Sequence, residues 1–405
     1  MHTSRPRLWT KDFIIISFAS FLLGLIFFLT MSTLVVYAIE EFNASQSKAG
    51  LSASILIIGS ILARVFTGKY LEIVGRKKLL YIGIILSFVA NLLYFPASNL
   101  NILIIVRFFH GAVLGITLTV LQTSVMNLIP ISRRGEGISY YSLSFILATA
   151  IGPFLGVFIT QYSNMSTIFI VCSVFSAISV ILSLFVSIPE VKLTKEQLKD
   201  LRGFHIKDFF EKKALPISLL TGIFGFSYSS ILSFLAPYSI EIQLMSAASF
   251  FFIVYSFFVL ISRPFTGVIL DLKGDNIVMF PAILFFSAGL FIISQAGNGI
   301  TLLLAGAFIG LGYGNLQSAA QAIVIKNSPS HRVGLATSTF FICVEGGMGI
   351  GPFLLGYLLP ITGYRNMYII LGIIVLVCIV LYYFLHGKKK AFDQQISHVN
   401  VKHES

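Results

Sequence analysis

The stretch Arg64-Val-Phe-Thr-Gly-Lys-Tyr-Leu-Glu-Ile-Val-Gly75 returns 199 residues later as Arg263-Pro-Phe-Thr-Gly-Val-Ile-Leu-Asp-Leu-Lys-Gly274. Arginine, phenylalanine, threonine, glycine, an acid and a second glycine fall in register, so Gly68, Glu72 and Gly75 pair with Gly267, Asp271 and Gly274. The same offset pairs Gly111 with Gly310, Gly115 with Gly314, Gln122 with Gln321, and Gly152-Pro153 with Gly351-Pro352. One offset that fits such scattered positions makes the chain two copies of one unit in the same order.

Composition says where that unit folds. Of 405 residues, 56% are hydrophobic and 11% charged, whereas a soluble domain carries about a quarter charged residues. The chain is an integral membrane protein of all-α class. Cys172, Cys343 and Cys378 lie in apolar stretches without metal-ligand spacing and read as buried thiols. Residues 13–39 carry no charge, too long a run for a cleaved signal, so they form a retained first span. There is no Gly-x-x-x-x-Gly-Lys-Ser/Thr loop, metal-ligand cluster or nucleophile elbow. An enzyme and an ATP-driven pump lose support, and no cofactor or metal is expected.

A span needs about 20 apolar residues. Charge-free stretches place six spans in 13–188, and the pattern repeats as 214–239, 248–270, 277–296, 301–325, 333–359 and 366–386. The expected organisation is a six-helix bundle over 1–188, a charged cytoplasmic linker at 189–213, a second bundle over 214–387 and a basic tail at 388–405. Lys48 and Arg365 are the only Lys or Arg in the outer loops of this scheme, and Arg107 lies inside a span. The other basic residues fall in or beside inner loops or on the termini, which places both termini in the cytoplasm. The net charge of +12 is therefore a topology signal, and nucleic acid is not an expected partner. The basic, Phe-rich composition points to a bacterial inner membrane, and a monomer suffices for the architecture.

Polar residues inside spans carry the chemistry. Glu345, in Phe341-Ile-Cys-Val-Glu-Gly-Gly-Met, is the only acid well inside a span. Thirteen residues from Arg332, it sits roughly 20 Å along its helix, near the midplane. An ionised carboxylate there costs about 2.5–3.5 kcal/mol. A group that gains and loses a proton as its surroundings alternate is what proton coupling requires; the other reading is a neutral Glu bonded to a neighbouring helix. Its repeat partner is Ile146, just as Arg107 pairs with Gly306 and His110 with Ile309. Polar residues that break the internal symmetry are poor candidates for a fold-level role. Arg107 either faces a cavity or partner or snorkels to the outer interface, and His110 is either a packing or a titrating residue. Gln122, Tyr228, Asn315, Gln317 and Gln321 are candidate cavity residues. Glu40, Glu41 and Glu241 near outer ends form an acidic vestibule or a solvated rim. Gly111/Gly115 and Gly306/Gly310/Gly314 are small-residue ridges for close helix packing.

With twelve spans as 6+6, the chain resembles the major facilitator superfamily. The loop signature of that family is matched by Gly68-x-x-x-Glu72-Ile73-Val74-Gly75-Arg76-Lys77-Lys78, with Glu for the usual Asp and Ile73 where a base is usual. The second copy keeps Asp271 but has Asp275-Asn276 for the basic pair. The resemblance implies a cytoplasmic gate at Gly68, Glu72, Gly75, Arg76, Gly267, Asp271 and Gly274. Arg107-x-x-x-Gly111 is similar to a motif linked to proton coupling. Ala148-x-x-x-Gly152-Pro153-x-x-Gly156 resembles the antiporter motif of drug exporters, with a related hinge at Gly351-Pro352. The implied function is proton-coupled export of a small amphipathic drug, metabolite or metallophore-like molecule from a site near the midplane between the bundles. The alternatives are a proton-coupled nutrient importer, a lipid flippase, and a non-transporting membrane sensor on the same fold.

Overall fold

A computed structural model of the chain describes residues 7–130, 133–188, 210–328 and 333–388. Side chains at 68, 69, 72, 134–136, 139, 271, 333 and 334 lie outside that description. Most of the linker expected at 189–213, and the tail beyond 388, also fall outside it.

Every regular element among the described residues is a helix. The first repeat holds α1 (Lys11–Phe42), α2 (Gln46–Val74), α3 (Arg76–Leu92), α4 (Leu100–Leu128), α5 (Arg134–Tyr162) and α6 (Met165–Leu184). The second holds α7 (Leu215–Glu241), α8 (Met245–Lys273), α9 (Asp275–Ser294), α10 (Gly299–Asn327) and α11 (Val333–Tyr382). A π-helical turn, Gly310–Gly314, interrupts α10, and another, Tyr383–Gly387, follows α11. Among the described residues ten helices are long and apolar enough to cross a membrane. The expected twelve are reached only by adding α3, which has 17 residues, and by dividing α11 where Gly363 takes φ 70°.

The offset seen in the sequence governs the helix ends. α2 and α8 begin and end 199 residues apart, as do α4 and α10. The caps repeat too: Asn99 Oδ1 accepts from the Ile102 amide at 3.0 Å, and Asn298 Oδ1 accepts from the Thr301 amide at 2.9 Å. Such a side chain satisfies one of the orphan amides of a helix start. The motif glycines Gly75 and Gly274 take φ 97° and 90°, a region open to glycine, which makes them the corners joining α2 to α3 and α8 to α9.

The chain divides into two compact units, Met1–Phe204 with Leu232–Pro237, and His205–Ile231 with Tyr238–Ser405. In the first, α1 packs on α5, α2 on α4, and α3 on α4 and α6. Glycine ridges make these contacts close. A Cβ on Gly111 would fall on the Leu56 carbonyl, and one on Gly115 would lie 2.6 Å from Ser60 O. Gly152 and Gly156 bring α5 against Phe28 and Leu29 of α1. In the second unit Gly310 meets the Tyr255 carbonyl of α8, while Gly347 and Gly351 of α11 meet Gly222 and Ser229 of α7. Close backbone approach is the main source of helix affinity where lipid removes the hydrophobic drive.

Candidate functional site

The first unit is organised around Arg107, which is fully buried. Its Nε donates to Ser52 O at 3.1 Å and its Nη2 to Ala53 O at 2.8 Å, both on α2. Its Nη1 donates to Thr30 Oγ1 of α1 at 3.0 Å and to the Tyr94 hydroxyl at 3.3 Å. The guanidinium therefore turns inward and does not snorkel. Tyr94, in the turn after α3, lies 2.9 Å from His110 Nδ1, and His110 Nε2 lies 3.3 Å from Ser87 Oγ. Arginine can only donate, so the Tyr94 oxygen accepts from Arg107 and leaves its own hydroxyl hydrogen for His110 Nδ1. His110 Nε2 faces both Ser87 Oγ and, at 3.5 Å, Asn91 Nδ2. One chain of polar contacts links α1 to α4.

The second unit has its polar cluster elsewhere. Tyr228 of α7 stacks on Tyr313 of α10 at 4.0 Å between centroids and tilts against Tyr255 of α8 at 5.7 Å. Tyr313 sits on the π-helical turn, and its hydroxyl reaches Met348 Sδ of α11 at 3.8 Å. Glu345 lies one turn before Met348. The α11 face carrying Cys343, Val344, Gly347 and Met348 packs on Gly222, Gly225 and Phe226 of α7, whereas a Cβ on Gly346 would meet nothing within 4 Å. Glu345 is half-buried. On the side of α11 that faces α7, Leu219, Gly222, Ile223, Phe226, Cys343 and Gly347 line an apolar groove.

The remaining expected residues divide between packing and open positions. Asn315 is buried and donates to Ser262 Oγ and Leu311 O at 2.8 Å each, while accepting from Thr266 Oγ1 at 3.0 Å. It ties α10 to α8. Gln122 is exposed, and Gln317 and Gln321 are half-buried. Of the gate set, Gly75 and Gly274 are the corners described above, and Gly267 approaches nothing within 4 Å. Gly68, Glu72 and Asp271 lie on helix backbone, but their side chains are outside the described set.

Arg76 is buried at the start of α3, where the Asn127 carboxamide oxygen accepts from its guanidinium. The positions 199 later are Asp275 and Lys326. Asp275 Oδ2 lies 2.8 Å from His386 Nε2, and Asp275 Oδ1 lies 3.8 Å from Lys326 Nζ. Asn276 completes this grip, donating to Gly387 O at 3.0 Å and accepting from the Tyr382 hydroxyl at 2.9 Å. The substitution of Asp275-Asn276 for a basic pair thus fastens the end of the last helix to α9. Tyr94, Thr30, Tyr255, Tyr313 and His386 are the residues that motif reading passed over. Subtracting one repeat from the other exposes most of them, because their partners at the 199 offset are Ile293, Ser229, Leu56, Leu114 and Ser187.

Two helical repeats with a mostly apolar helix set, a buried cation and an intramembrane acid define a multi-pass membrane transporter fold. The profile of the Major Facilitator Superfamily matches residues 16–254 and 217–398; the chain belongs to that family. An uncharacterised MFS-type transporter of Methanocaldococcus jannaschii is 24% identical over 342 residues, covering 83% of this chain and 88% of that protein. The staphylopine export protein of Staphylococcus aureus is 22% identical over 380 residues, 89% and 94% of the two chains. The multidrug resistance protein MdtL of Salmonella paratyphi C is 25% identical over 362 residues, 83% and 84%. A crystal structure of a POT family transporter with 5-aminolevulinic acid superposes with TM-score 0.77 at 15% identity, covering 92% of this chain and 95% of that one. The nucleoside transporter NupG superposes with TM-score 0.72 at 14% identity, covering 93% and 99%. These structural likenesses concern the fold alone.

Proposed function

We propose that this transporter exports a small amphipathic molecule in exchange for protons, by alternating access of its two six-helix repeats. The observation that carries the reading is Glu345: a carboxyl group within a span, on a repeat position that holds Ile146 in the first half. A carboxyl group that breaks the repeat inside a span is a candidate for the transport cycle. Protonation from outside neutralises Glu345, and substrate binding from inside favours release of the proton. Relatives named for staphylopine export and multidrug resistance support the outward direction. Arg107, linked to His110 through Tyr94, supplies the fixed charge of the first repeat in this scheme. The protein acts as a single chain in a bacterial inner membrane with both termini in the cytoplasm.

Untargeted mass spectrometry of cells and medium tests this with three strains: one lacking the protein, one expressing it and one expressing Glu345→Gln. A compound depleted inside and enriched outside only with the intact protein names the substrate and its direction. Accumulation inside reverses the direction, and equal behaviour of Glu345→Gln removes that residue from the coupling.

A further inference from the structure

Two neighbouring helices of the second unit are irregular, and the first repeat has neither irregularity. α8 carries Pro264 inside its length, and a proline removes one ladder hydrogen bond and crowds the carbonyl four residues back. α10 carries the π-helical turn Gly310–Gly314. The residue of α2 that matches Pro264 is Val65, and the matching residues of α4, 111–115, lie within an unbroken α-helix. Prolines and π turns are the usual places where a helix bends.

One side chain grips both. Asn315 follows the π turn and is 2% exposed. Its amide bonds Gly312 O. Leu311 O, the carbonyl that a regular α-helix would offer that amide, accepts from the Asn315 carboxamide at 2.8 Å instead. The carboxamide also donates to Ser262 Oγ at 2.8 Å, and its oxygen accepts from Thr266 Oγ1 at 3.0 Å. Ser262 and Thr266 flank Pro264, two residues away on either side. Both carboxamide donors are thereby used within the protein. The first repeat has Ile116 for Asn315 and Ala63 for Ser262. Thr67, the counterpart of Thr266, bonds back to Ala63 O of its own helix at 2.8 Å. Proline, π turn and carboxamide are present together in one repeat and missing together from the other.

We propose that Asn315 is a positioning residue of the transport cycle, the clasp that makes α8 and α10 bend as one at Pro264 and at the π turn. This rests on the transport reading above. Bending α8 at Pro264 moves Thr266 relative to Ser262 and carries the gate stretch Gly267–Gly274 with it. The clasp passes that displacement to Leu311 and the π turn. A π turn closes one residue later than an α turn, so tightening it to α-helix rotates the two halves of α10 against each other by roughly 100°. Tyr313 rides on that turn, stacked on Tyr228 of α7 and within reach of Met348 of α11. Movement at the gate stretch is thereby conveyed to the helix that carries Glu345.

Amide hydrogen exchange of the purified protein and ethidium efflux from cells test the clasp. Pro264→Val, the first-repeat residue, restores the α8 ladder. It should slow exchange of amides 311–316 by about fivefold, the weight of one hydrogen bond. The effect should vanish in an Asn315→Ile background, as coupling through that side chain requires. An equal effect in both backgrounds, or none in either, overturns the clasp. Ser262→Ala with Asn315→Ile copies the first repeat. Removing both partners together is nearly neutral for folding, so the thermal midpoint should stay within about 4 °C. The maximal rate of ethidium efflux should fall at least about fivefold, with its half-saturating concentration little changed. Full efflux by this variant makes Asn315 a packing residue and overturns the proposal. A change confined to the half-saturating concentration also overturns it, because Asn315 then touches the transported molecule. If the double variant does not fold, Thr266→Val decides: it removes one bond of the clasp and should lower the maximal rate in part, and an unchanged rate overturns the proposal. If the intact protein moves no ethidium, the export reading fails for this class of compound, and the exchange measurements alone decide the clasp.

Discussion

The two repeats treat buried polarity in opposite ways. In the first, Arg107, Tyr94 and His110 form a bonded chain in which the cation meets four acceptors on α1, α2 and the turn after α3. The same places in the second repeat hold Gly306, Ile293 and Ile309, and the Gly306 position faces the Phe251 carbonyl and ring. The second repeat puts Tyr228, Tyr255 and Tyr313 where the first has leucine, stacked and tilted against one another. One scaffold thus carries a network centred on a cation in one half and an aromatic cluster in the other.

The largest effect expected from this contrast is at Arg107. Arg107→Ala removes the largest fully buried side chain and four hydrogen bonds, and should cost about 3 kcal/mol or more. Size-exclusion chromatography of detergent extracts should show little monodisperse protein. Gly306→Ala, its repeat counterpart, adds a Cβ at 3.0 Å from Phe251 O, and should cost about 1 kcal/mol; equal losses at both positions would erase the contrast.

A second comparison lies within α11. Gly347→Ala drives a Cβ into the Gly222 carbonyl and should destabilise the α7–α11 contact by about 1–3 kcal/mol. Gly346→Ala meets nothing and should be neutral or stabilising by up to about 1 kcal/mol through helix propensity. Thermal unfolding of the two variants side by side reads the sign directly. Tyr94→Phe comes next. It breaks the link between Arg107 and His110 and should lower stability by about 1–3 kcal/mol.

Much of the fold was legible because a single offset survives in glycines and capping residues that backbone geometry fixes. Gly75 and Gly274 must turn the chain, and Asn99 and Asn298 must cap, whatever the surrounding side chains do. Arg107 and His110 were visible as polar residues inside a span, but Tyr94 was not. It lies in a loop ending Tyr-Phe-Pro, and only the fold of α3 against α4 brings its hydroxyl to both. Asp275 read as a defect in a basic motif, and its role became visible only with His386, 111 residues away, placed against it. Tyr255 and Tyr313 look like ordinary apolar-face residues along their own helices. They stand out only when the leucines at the matching positions are set beside them.

Glu345 is the proposed proton carrier. The direct measurement loads the exported compound into proteoliposomes and compares two fluxes: exchange of the compound at equal pH, and its accumulation driven by a pH gradient. Glu345→Gln, fixed in the neutral form, should keep exchange within a few fold and lose gradient-driven accumulation. If the variant still accumulates the compound against its gradient as the intact protein does, protons are carried elsewhere and the account is wrong.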